Sequence, residues 1–159
     1  MDILQQIVTG FLIAWASIFG TVSAPESEYG DVVSVIDGDT IVVSIEGKEE
    51  FVRYIGIDTP EFDRESGEDD CFSEEAADAN REFVEGKEVR LESDEDNRDK
   101  YNRLLRYVYV DEVFVNKELV GGGYATALPI PPNTKHASEF YELQQHAQSN
   151  GLGMWGVCE

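Results

Sequence analysis

Residues 31–61 read DVVSVIDGDTIVVSIEGKEEFVRYIGIDTPE, and this stretch decides the fold. Its first two apolar runs alternate with small or polar side chains, which is the period-2 pattern of β-strands. Tight turns are indicated at 37–39, where the sequence is Asp-Gly-Asp, and at 46–48, where it is Glu-Gly-Lys. A third strand is predicted over 51–57, before Pro60. The stretch therefore predicts a meander of short strands.

Downstream of the meander, helix and strand patterns follow one another. Apolar residues recur at helical spacing after Ser73, the predicted N-cap, and the helix is expected to end at Gly86. The remaining predicted elements are strands at 89–91 and 104–110 and helices at 116–119 and 136–149. This order predicts an α+β fold, a five-stranded OB-type β-barrel with three packed helices.

The charge balance is strongly acidic. The chain has 12 Lys and Arg against 33 Asp and Glu, a net charge of −21, and residues 61–99 hold much of the excess. Bulk charge therefore excludes affinity for nucleic acid by general phosphate neutralisation. Strong acidity with little lysine is typical of halophilic proteins, whose self-repulsion is screened by salt. The alternative is an ordinary acidic protein that its charge keeps soluble.

The N-terminal segment predicts export. Residues 3–24 carry no charged side chain and end in small residues, which resembles a signal-peptidase site after Ala24. The same stretch is also long enough to be an uncleaved membrane anchor. Either reading, a signal peptide or an anchor at 1–24, places a domain at 25–159 outside the cytoplasm. We therefore expect an extracellular protein, which associates with a membrane only if the anchor is retained.

The cysteine count fits export. The chain has two cysteines, Cys71 and Cys158. An even number of cysteines in an exported chain indicates a disulfide, which here would close a loop of nearly 90 residues. The alternative is a pair of free thiols. Neither cysteine has a histidine at ligand spacing, which argues against a zinc site.

Three segments place acids and arginines at strand ends. They are VIDGDT at 35–40, RYIGIDTPE at 53–61 and DKYNRLLRY at 99–107. Arg53 shares strand parity with the apolar Phe51, so we expect it on the same side, lining a pocket. A buried arginine needs an anionic partner. Each segment alone also fits a solvated turn or a surface ion pair.

Taken together, the first two segments predict a metal site. Asp39, Asp58 and the Thr59 carbonyl supply hard oxygen ligands, which suit Ca²⁺ rather than a soft metal. Glu61 follows closely and can orient or deprotonate a water molecule. These residue types therefore indicate metal-assisted attack by water.

The arginines of the second and third segments add phosphate recognition. Arg53 and Arg103 offer planar donor forks that can hold a phosphate and its transition state. Lys100 and Arg106 add positive charge to the third segment. A metal ion, two arginines and a carboxylate together are the groups that phosphodiester hydrolysis requires.

The three motifs resemble those of the staphylococcal nuclease (thermonuclease) family. D-G-D-T at 37–40, R-x-x-x-x-D-T-P-E at 53–61 and D-K-Y-x-R at 99–103 have the family's order and comparable spacing, and the similarity runs from about Gly30 to Trp155. The resemblance implies that Asp39, Asp58 and the Thr59 carbonyl hold calcium and that Glu61 acts on the attacking water. It also implies that Arg53 and Arg103 stabilise the transition state. Lys100 and Tyr101 are implied to contact a terminal phosphate.

The function implied by the resemblance is that of a secreted, calcium-dependent nuclease. Such an enzyme hydrolyses DNA or RNA, preferably single-stranded, to 3′-phosphate and 5′-hydroxyl ends, and we expect a monomer. Two alternatives stay open. One is an inactive nuclease-like module that binds nucleic acid or a protein partner, and the other is a calcium-binding surface protein.

The chain departs from the family type in three ways. The type carries tyrosines near the nucleotide base, whereas residues 127–131 here read ALPIP. Aromatic stacking on the base is therefore not expected. The type is basic and this chain is acidic. The two cysteines have no counterpart in the type.

Overall fold

The computed structural model describes residues 27–62 and 69–158. The predicted signal peptide or anchor at 1–24 lies outside the described residues. The elements are β1 (Ser27–Val35), β2 (Thr40–Ile45), β3 (Lys48–Tyr54), β4 (Ile57–Asp58), α1 (Ser73–Val84), β5 (Glu88–Glu92), β6 (Leu104–Val110), β7 (Val113–Phe114), α2 (Val115–Gly121), β8 (Thr126–Ala127), α3 (Ala137–Ser149) and α4 (Met154–Val157). No helix in this part of the chain is both long enough and apolar enough to cross a bilayer.

The main sheet closes into a barrel. Its strand order is β3-β2-β1-β5-β6-β7, and β3 also pairs with β6 in parallel. Strands β1, β2, β3, β5 and β6 thus form a closed five-stranded ring, with α1, α2 and α3 packed against it and α4 as a final short turn. The predicted α+β fold, an OB-type barrel with three helices, is confirmed.

The barrel interior is filled by the inward-facing residues of these strands. Ile41, Val43, Val52, Val89 and Leu91 are completely buried. Fully burying one side chain of this size contributes about 1.5–3 kcal/mol. The period-2 pattern of the sequence is therefore the cause of the closed core, because every second residue of each strand faces inward.

The predicted third strand is wrong at its end. It stops at Tyr54, and Ile57–Asp58 form the separate strand β4. Gly56, between them, has φ +79°, and a Cβ at this residue would lie 2.6 Å from Cε2 of Phe140. A strand cannot continue through this left-handed backbone. The chain therefore turns at Gly56, under helix α3, and carries Asp58 in a new direction.

Helix α1 does not begin as predicted. Ser73 is its first residue, and the N-cap is Phe72, which has φ +74° and offers no side-chain hydrogen bond to the helix. The Phe72 ring stacks on Tyr124, with centroids 5.7 Å apart. Tertiary packing of an aromatic ring, rather than a polar cap, therefore sets the start of this helix.

A disulfide joins the two cysteines. Cys71 and Cys158 are bonded, with Cα atoms 5.9 Å apart and a sequence separation of 87. The bond connects the start of α1 to the end of α4. Asp70, next to Cys71, hydrogen-bonds the backbone of Glu61, so the covalent link ends close to a predicted site residue.

Candidate active site

Strand pairing brings the three motif segments together. In the β2–β3 hairpin Arg53 lies opposite Thr40, the neighbour of Asp39. In the parallel β3–β6 pair the same Arg53 lies opposite Leu105, two residues after Arg103. Arg53 is therefore the point at which the segments meet.

Arg53 engages both predicted acidic ligands with one guanidinium. Its Nη1 forms an ion pair with Asp39 Oδ1, and its Nη2 donates to Asp58 Oδ1 at 2.5 Å and to the Ile57 carbonyl at 3.3 Å. The Thr59 N–H donates to Asp39 Oδ2 at 2.9 Å. Both oxygens of the Asp39 carboxylate, whose residue is only 1% exposed, are thus engaged. We call Asp39, Asp58 and the Thr59 carbonyl the acidic cluster.

Several hydrogen bonds hold the turn that carries Asp39. The Asp39 N–H donates to Asp37 Oδ1 at 3.0 Å, and Thr40 Oγ1 donates to Asp39 Oδ1 at 3.2 Å. The Asp37 carbonyl accepts a bond from Asn80 Nδ2 at 2.9 Å, which ties the turn to α1. Burial raises the pKa of Asp37, against the lowering effect of the Arg53 charge. The turn is therefore a rigid support for the Asp39 carboxylate.

Gly38 packs directly against Thr59. A Cβ at Gly38 would lie 2.7 Å from Thr59 Oγ1 and 2.8 Å from both Thr59 carbons, Cβ and Cγ2. Thr59 is itself buried, at 4% exposure. The glycine between the two aspartates is therefore required because the first and second motifs touch at this point.

Gly38→Ala is expected to reduce catalytic turnover by about tenfold, because the added methyl displaces Thr59 and with it the acidic cluster. Gly121→Ala is the matched control, since a Cβ there meets only Leu143 Cδ2, at 3.6 Å. Cleavage rates of denatured DNA by both variants measure the effect. Equal rates for the two alanine variants would show that the Gly38–Thr59 contact does not shape the site.

Beside the acidic cluster lies a cavity of about 370 Å³. Its charged lining residues are Arg53, Arg98, Lys100, Arg103, Asp96 and Asp99. Four cations and two acids give this lining a net charge of +2 in a chain of net charge −21. Outside the lining, Asp39 and Asp58 pair with Arg53, and Glu50 pairs with Arg98. The cationic cavity, as we call it, therefore groups arginine and lysine donors that can bind a phosphate within an acidic molecule.

Asp99 holds Arg103 in place. Asp99 Oδ2 accepts from Arg103 Nε at 2.7 Å, and Asp99 Oδ1 accepts from the Arg103 N–H at 2.9 Å. Burial raises the pKa of Asp99, but the hydrogen bonds from Arg103 outweigh it and the pKa is lowered. Among residues 27–62 and 69–158, the terminal nitrogens of Arg103 have no hydrogen bond or ion pair. These nitrogens are free to bind a phosphate.

The predicted phosphate contacts lie at the rim of the cavity. Lys100 lines the cavity, while Tyr101 is 68% exposed. Lys100 Nζ lies 4.9 Å and Arg103 Cζ 5.4 Å from the centroid of the Tyr101 ring. Leu128 and Ile130 also line the cavity and are 44% and 64% exposed. We call these two residues the aliphatic side of the cavity.

Glu61 lies apart from the cavity. It follows Thr59 by two residues, is exposed, and is not among the cavity-lining residues. Its N–H donates to Asp70 Oδ2 at 3.1 Å, and its carbonyl accepts from the Asp70 N–H at 3.0 Å. Its carboxylate makes no hydrogen bond or ion pair with the described part of the chain. The side chain is therefore available to a water molecule.

Arg106, which adds positive charge to the third segment in the sequence, does not line the cavity. Its Nε and Nη2 bind Glu28 Oε1 at 2.7 and 2.6 Å, and its Nη1 donates to the carbonyls of Leu105 and Asn97. Leu105 lines the cavity, and alternation along β6 sends the next side chain to the opposite face. Arg106 therefore ties β6 to β1.

Arg53 lines a pocket, as its strand parity predicts, but from the outer face of the barrel. Phe51 and Arg53 do share one side of β3, but that side is the outer face of the barrel, where Phe51 is 54% exposed. Val52 and Tyr54 face the interior and are buried. Arg53 reaches a pocket because segments outside the barrel cover its end of the strand.

The acidic cluster fits a hard cation. Its donors are all oxygens, and its two carboxylates already share one positive group, the Arg53 guanidinium. Ca²⁺ completes its coordination with water or phosphate oxygens. Within residues 27–62 and 69–158, no three His, Cys, Asp or Glu side chains are grouped as a metal site.

Sequence reasoning missed Arg98 and Asp70. Arg98 directly precedes the third motif, and its Nη1 binds Glu50 Oε2 at 2.9 Å while the residue lines the cavity. The density of cations over 98–103 was the available signal. Asp70 lay in an acidic stretch without a pattern, so no signal marked its contact with Glu61.

Comparison with known proteins identifies the family. A family model described as "Staphylococcal nuclease homologue" matches residues 51–157. Thermonuclease from Staphylococcus hyicus is 33% identical, over 96% of this chain and 99% of that protein. Thermonuclease from Staphylococcus intermedius is 36% identical, over 78% of this chain and 74% of that protein. Endonuclease YncB from Bacillus subtilis is 43% identical, over 76% of this chain and 58% of that protein.

These matches agree with the fold and with the grouping of the motifs. The family match contains the second and third motifs, which meet at Arg53 in the structure. The similarity to the Staphylococcus hyicus protein extends over nearly the whole of both chains. On these grounds the chain belongs to the staphylococcal nuclease family.

Proposed function

We propose that this chain is a secreted, calcium-dependent nuclease that hydrolyses DNA or RNA, with preference for single strands, to 3′-phosphate and 5′-hydroxyl ends. One observation carries the proposal. Arg53 contacts both carboxylates of the acidic cluster and also lines the cationic cavity. A phosphodiester seated in the cavity therefore lies against the acids that would hold the metal.

Asp39, Asp58 and the Thr59 carbonyl would hold the calcium ion. When bound, calcium supplies positive charge that polarises a phosphoryl oxygen and acidifies bound water. The chain contributes the rigidity of this site, since the Asp39 carboxylate is oriented by Thr59 N–H and Thr40 Oγ1. Pre-oriented ligands reduce the reorganisation needed on binding.

The protein side chains take separate roles at the phosphate. Glu61, whose carboxylate is exposed and has no partner among residues 27–62 and 69–158, accepts a proton from the attacking water. Arg53 and Arg103 donate to the phosphoryl oxygens, where negative charge grows in the transition state. Asp99 fixes Arg103 through Nε and leaves its terminal nitrogens for the phosphate. Lys100 and Tyr101 contact a terminal phosphate at the rim.

The aliphatic side of the cavity faces the nucleobase. Leu128 and Ile130 offer apolar contact there in place of an aromatic platform. Apolar contact without ring stacking or base-edge hydrogen bonds discriminates weakly among bases. We therefore propose broad base tolerance.

Export is supported by the disulfide. Disulfides persist in oxidising compartments, and this chain joins Cys71 to Cys158. We propose that residues 25–159 form the exported nuclease domain, released from or anchored by residues 1–24, and that it acts as a monomer. The acidic surface is proposed as a halophilic adaptation.

Salt and calcium dependence test this proposal. We expect cleavage of denatured DNA to require Ca²⁺ and to stop when a chelator is added. We also expect the cleavage rate to rise from low salt up to about 0.5 M and then to decline. The rise is expected because added salt first screens the repulsion between the substrate and a chain of net charge −21. Initial rates at a series of NaCl concentrations measure this, with end-group analysis of the products.

The outcomes separate the alternatives. A rate that only falls as salt is added would contradict the role given to the acidic surface. Cleavage unaffected by chelator would contradict the calcium site. Oligonucleotide binding without cleavage at any salt concentration would indicate an inactive binding module.

A further inference from the structure

The disulfide lies at the end of a short path of contacts that leads to Glu61. Cys71 is bonded to Cys158, and Asp70 precedes Cys71 directly. Asp70 makes two hydrogen bonds to the Glu61 backbone, one through its Oδ2 and one through its N–H. No other side chain in the described part of the chain bonds to the Glu61 backbone. We call Asp70 and the Cys71–Cys158 bond the Glu61 clamp.

The far end of the clamp is firmly anchored. The Cys158 N–H donates to the Met154 carbonyl at 2.8 Å, and the Met154 N–H donates to the Gly123 carbonyl at 3.0 Å. Met154 is only 9% exposed, and Gly123 follows α2 with its backbone packed against that of Leu152. Cys158 is thus attached to the helical layer, and the disulfide transmits this attachment to Cys71.

At the other end of the clamp, contacts of the neighbouring residues fix the backbone around Asp70 and Cys71. Phe72, next to Cys71, keeps a left-handed backbone with φ +74° and stacks on Tyr124. The Ser73 N–H donates to the Asp70 carbonyl at 3.1 Å. A non-glycine residue in this conformation is retained only where its surroundings fix it. Asp70 therefore reaches Glu61 from a rigid base.

We propose that the Asp70 carboxylate and the Cys71–Cys158 disulfide are positioning elements that set the place of the Glu61 carboxylate relative to the scissile phosphate. This inference rests on the role proposed for Glu61. Glu61 is exposed, and within the described residues its hydrogen bonds to side chains and loops run through its backbone to Asp70, which thereby fixes where the carboxylate starts from. Releasing the clamp therefore lowers turnover while the phosphate-binding cavity stays intact.

The test compares four variants of the full chain: Cys71→Ser/Cys158→Ser, Asp70→Ala, Asp70→Asn and Glu61→Gln. The first two are expected to lower kcat about tenfold with KM within about twofold of wild type. Asp70→Asn keeps an oxygen that accepts the Glu61 N–H, so it is expected to restore most of kcat. Asp78→Asn, which neutralises an exposed acid on α1, is the charge-matched control.

A mutant cycle with Glu61→Gln separates positioning from general destabilisation. Glu61→Gln alone is expected to lower kcat about 100-fold. In that background the double serine variant is expected to cause less than about a twofold further change, because its effect passes through Glu61. Phosphine reduction of the folded wild-type protein, monitored by circular dichroism, repeats the comparison without mutation.

Three results would overturn the inference. Unchanged kcat in both clamp variants would show that Glu61 needs no such support. If the double serine variant lost the same factor in kcat in wild type and in Glu61→Gln, the disulfide would act on stability alone. Wild-type activity in Glu61→Gln would remove the proposed role of Glu61 itself, a failure visible in that variant before the clamp is altered.

Discussion

Arg53→Lys is expected to lower kcat/KM for denatured DNA by about 10³-fold. The guanidinium pairs with Asp39 and Asp58 and also lines the cavity, so it has contacts on two sides. A lysine keeps the charge but replaces the planar fork with a compact ammonium group, which cannot keep both sets of contacts. Initial rates at saturating Ca²⁺ over a range of substrate concentrations measure the loss.

The control for this variant is Arg81→Lys on α1, which alters an exposed ion pair with Asp78 and is expected to leave the rate unchanged. Denaturant unfolding of both proteins separates lost activity from lost fold. A kcat/KM for Arg53→Lys within about tenfold of wild type would contradict a transition-state role for this side chain.

Asp39→Asn is expected to raise the Ca²⁺ concentration for half-maximal activity by about 100-fold and to lower the free energy of unfolding by about 3 kcal/mol. The buried carboxylate accepts from the Thr59 N–H and Thr40 Oγ1 and pairs with Arg53. An asparagine keeps one oxygen and presents an N–H group in place of the other, so one donor loses its acceptor. Calcium titration of activity and urea unfolding measure the two effects.

Asp31→Asn is the matched control, because Asp31 is exposed on β1 and loses the same charge. It is expected to leave the calcium requirement unchanged and to change the free energy of unfolding by no more than about 0.5 kcal/mol. If Asp39→Asn showed an unchanged calcium requirement together with a clear loss of stability, Asp39 would be a structural acid and the metal would lie elsewhere.

Local rules explain the first half of the site. The two-residue turn of the β2–β3 hairpin pairs Ile45 with Lys48, and antiparallel register then places Thr40 opposite Arg53. This short hairpin therefore brings Arg53 beside Asp39 through local structure alone. The same pattern failed at Gly56, where a ring from α3, Phe140, meets the backbone and ends the strand. No nearby residue marks a contact that arrives from so far along the chain.

The sequence by itself determined most strands of the barrel and the family, and it predicted the site residues, because strand periodicity and turn chemistry are local and the three motifs lie within short segments. Only the tertiary structure decided how these segments meet. Parallel closure of β3 on β6 brings Arg53 opposite Leu105, and no local pattern encodes a register between strands so distant in sequence. The same holds for the Asp70–Glu61 contact, which joins the segment after β4 to the segment before α1.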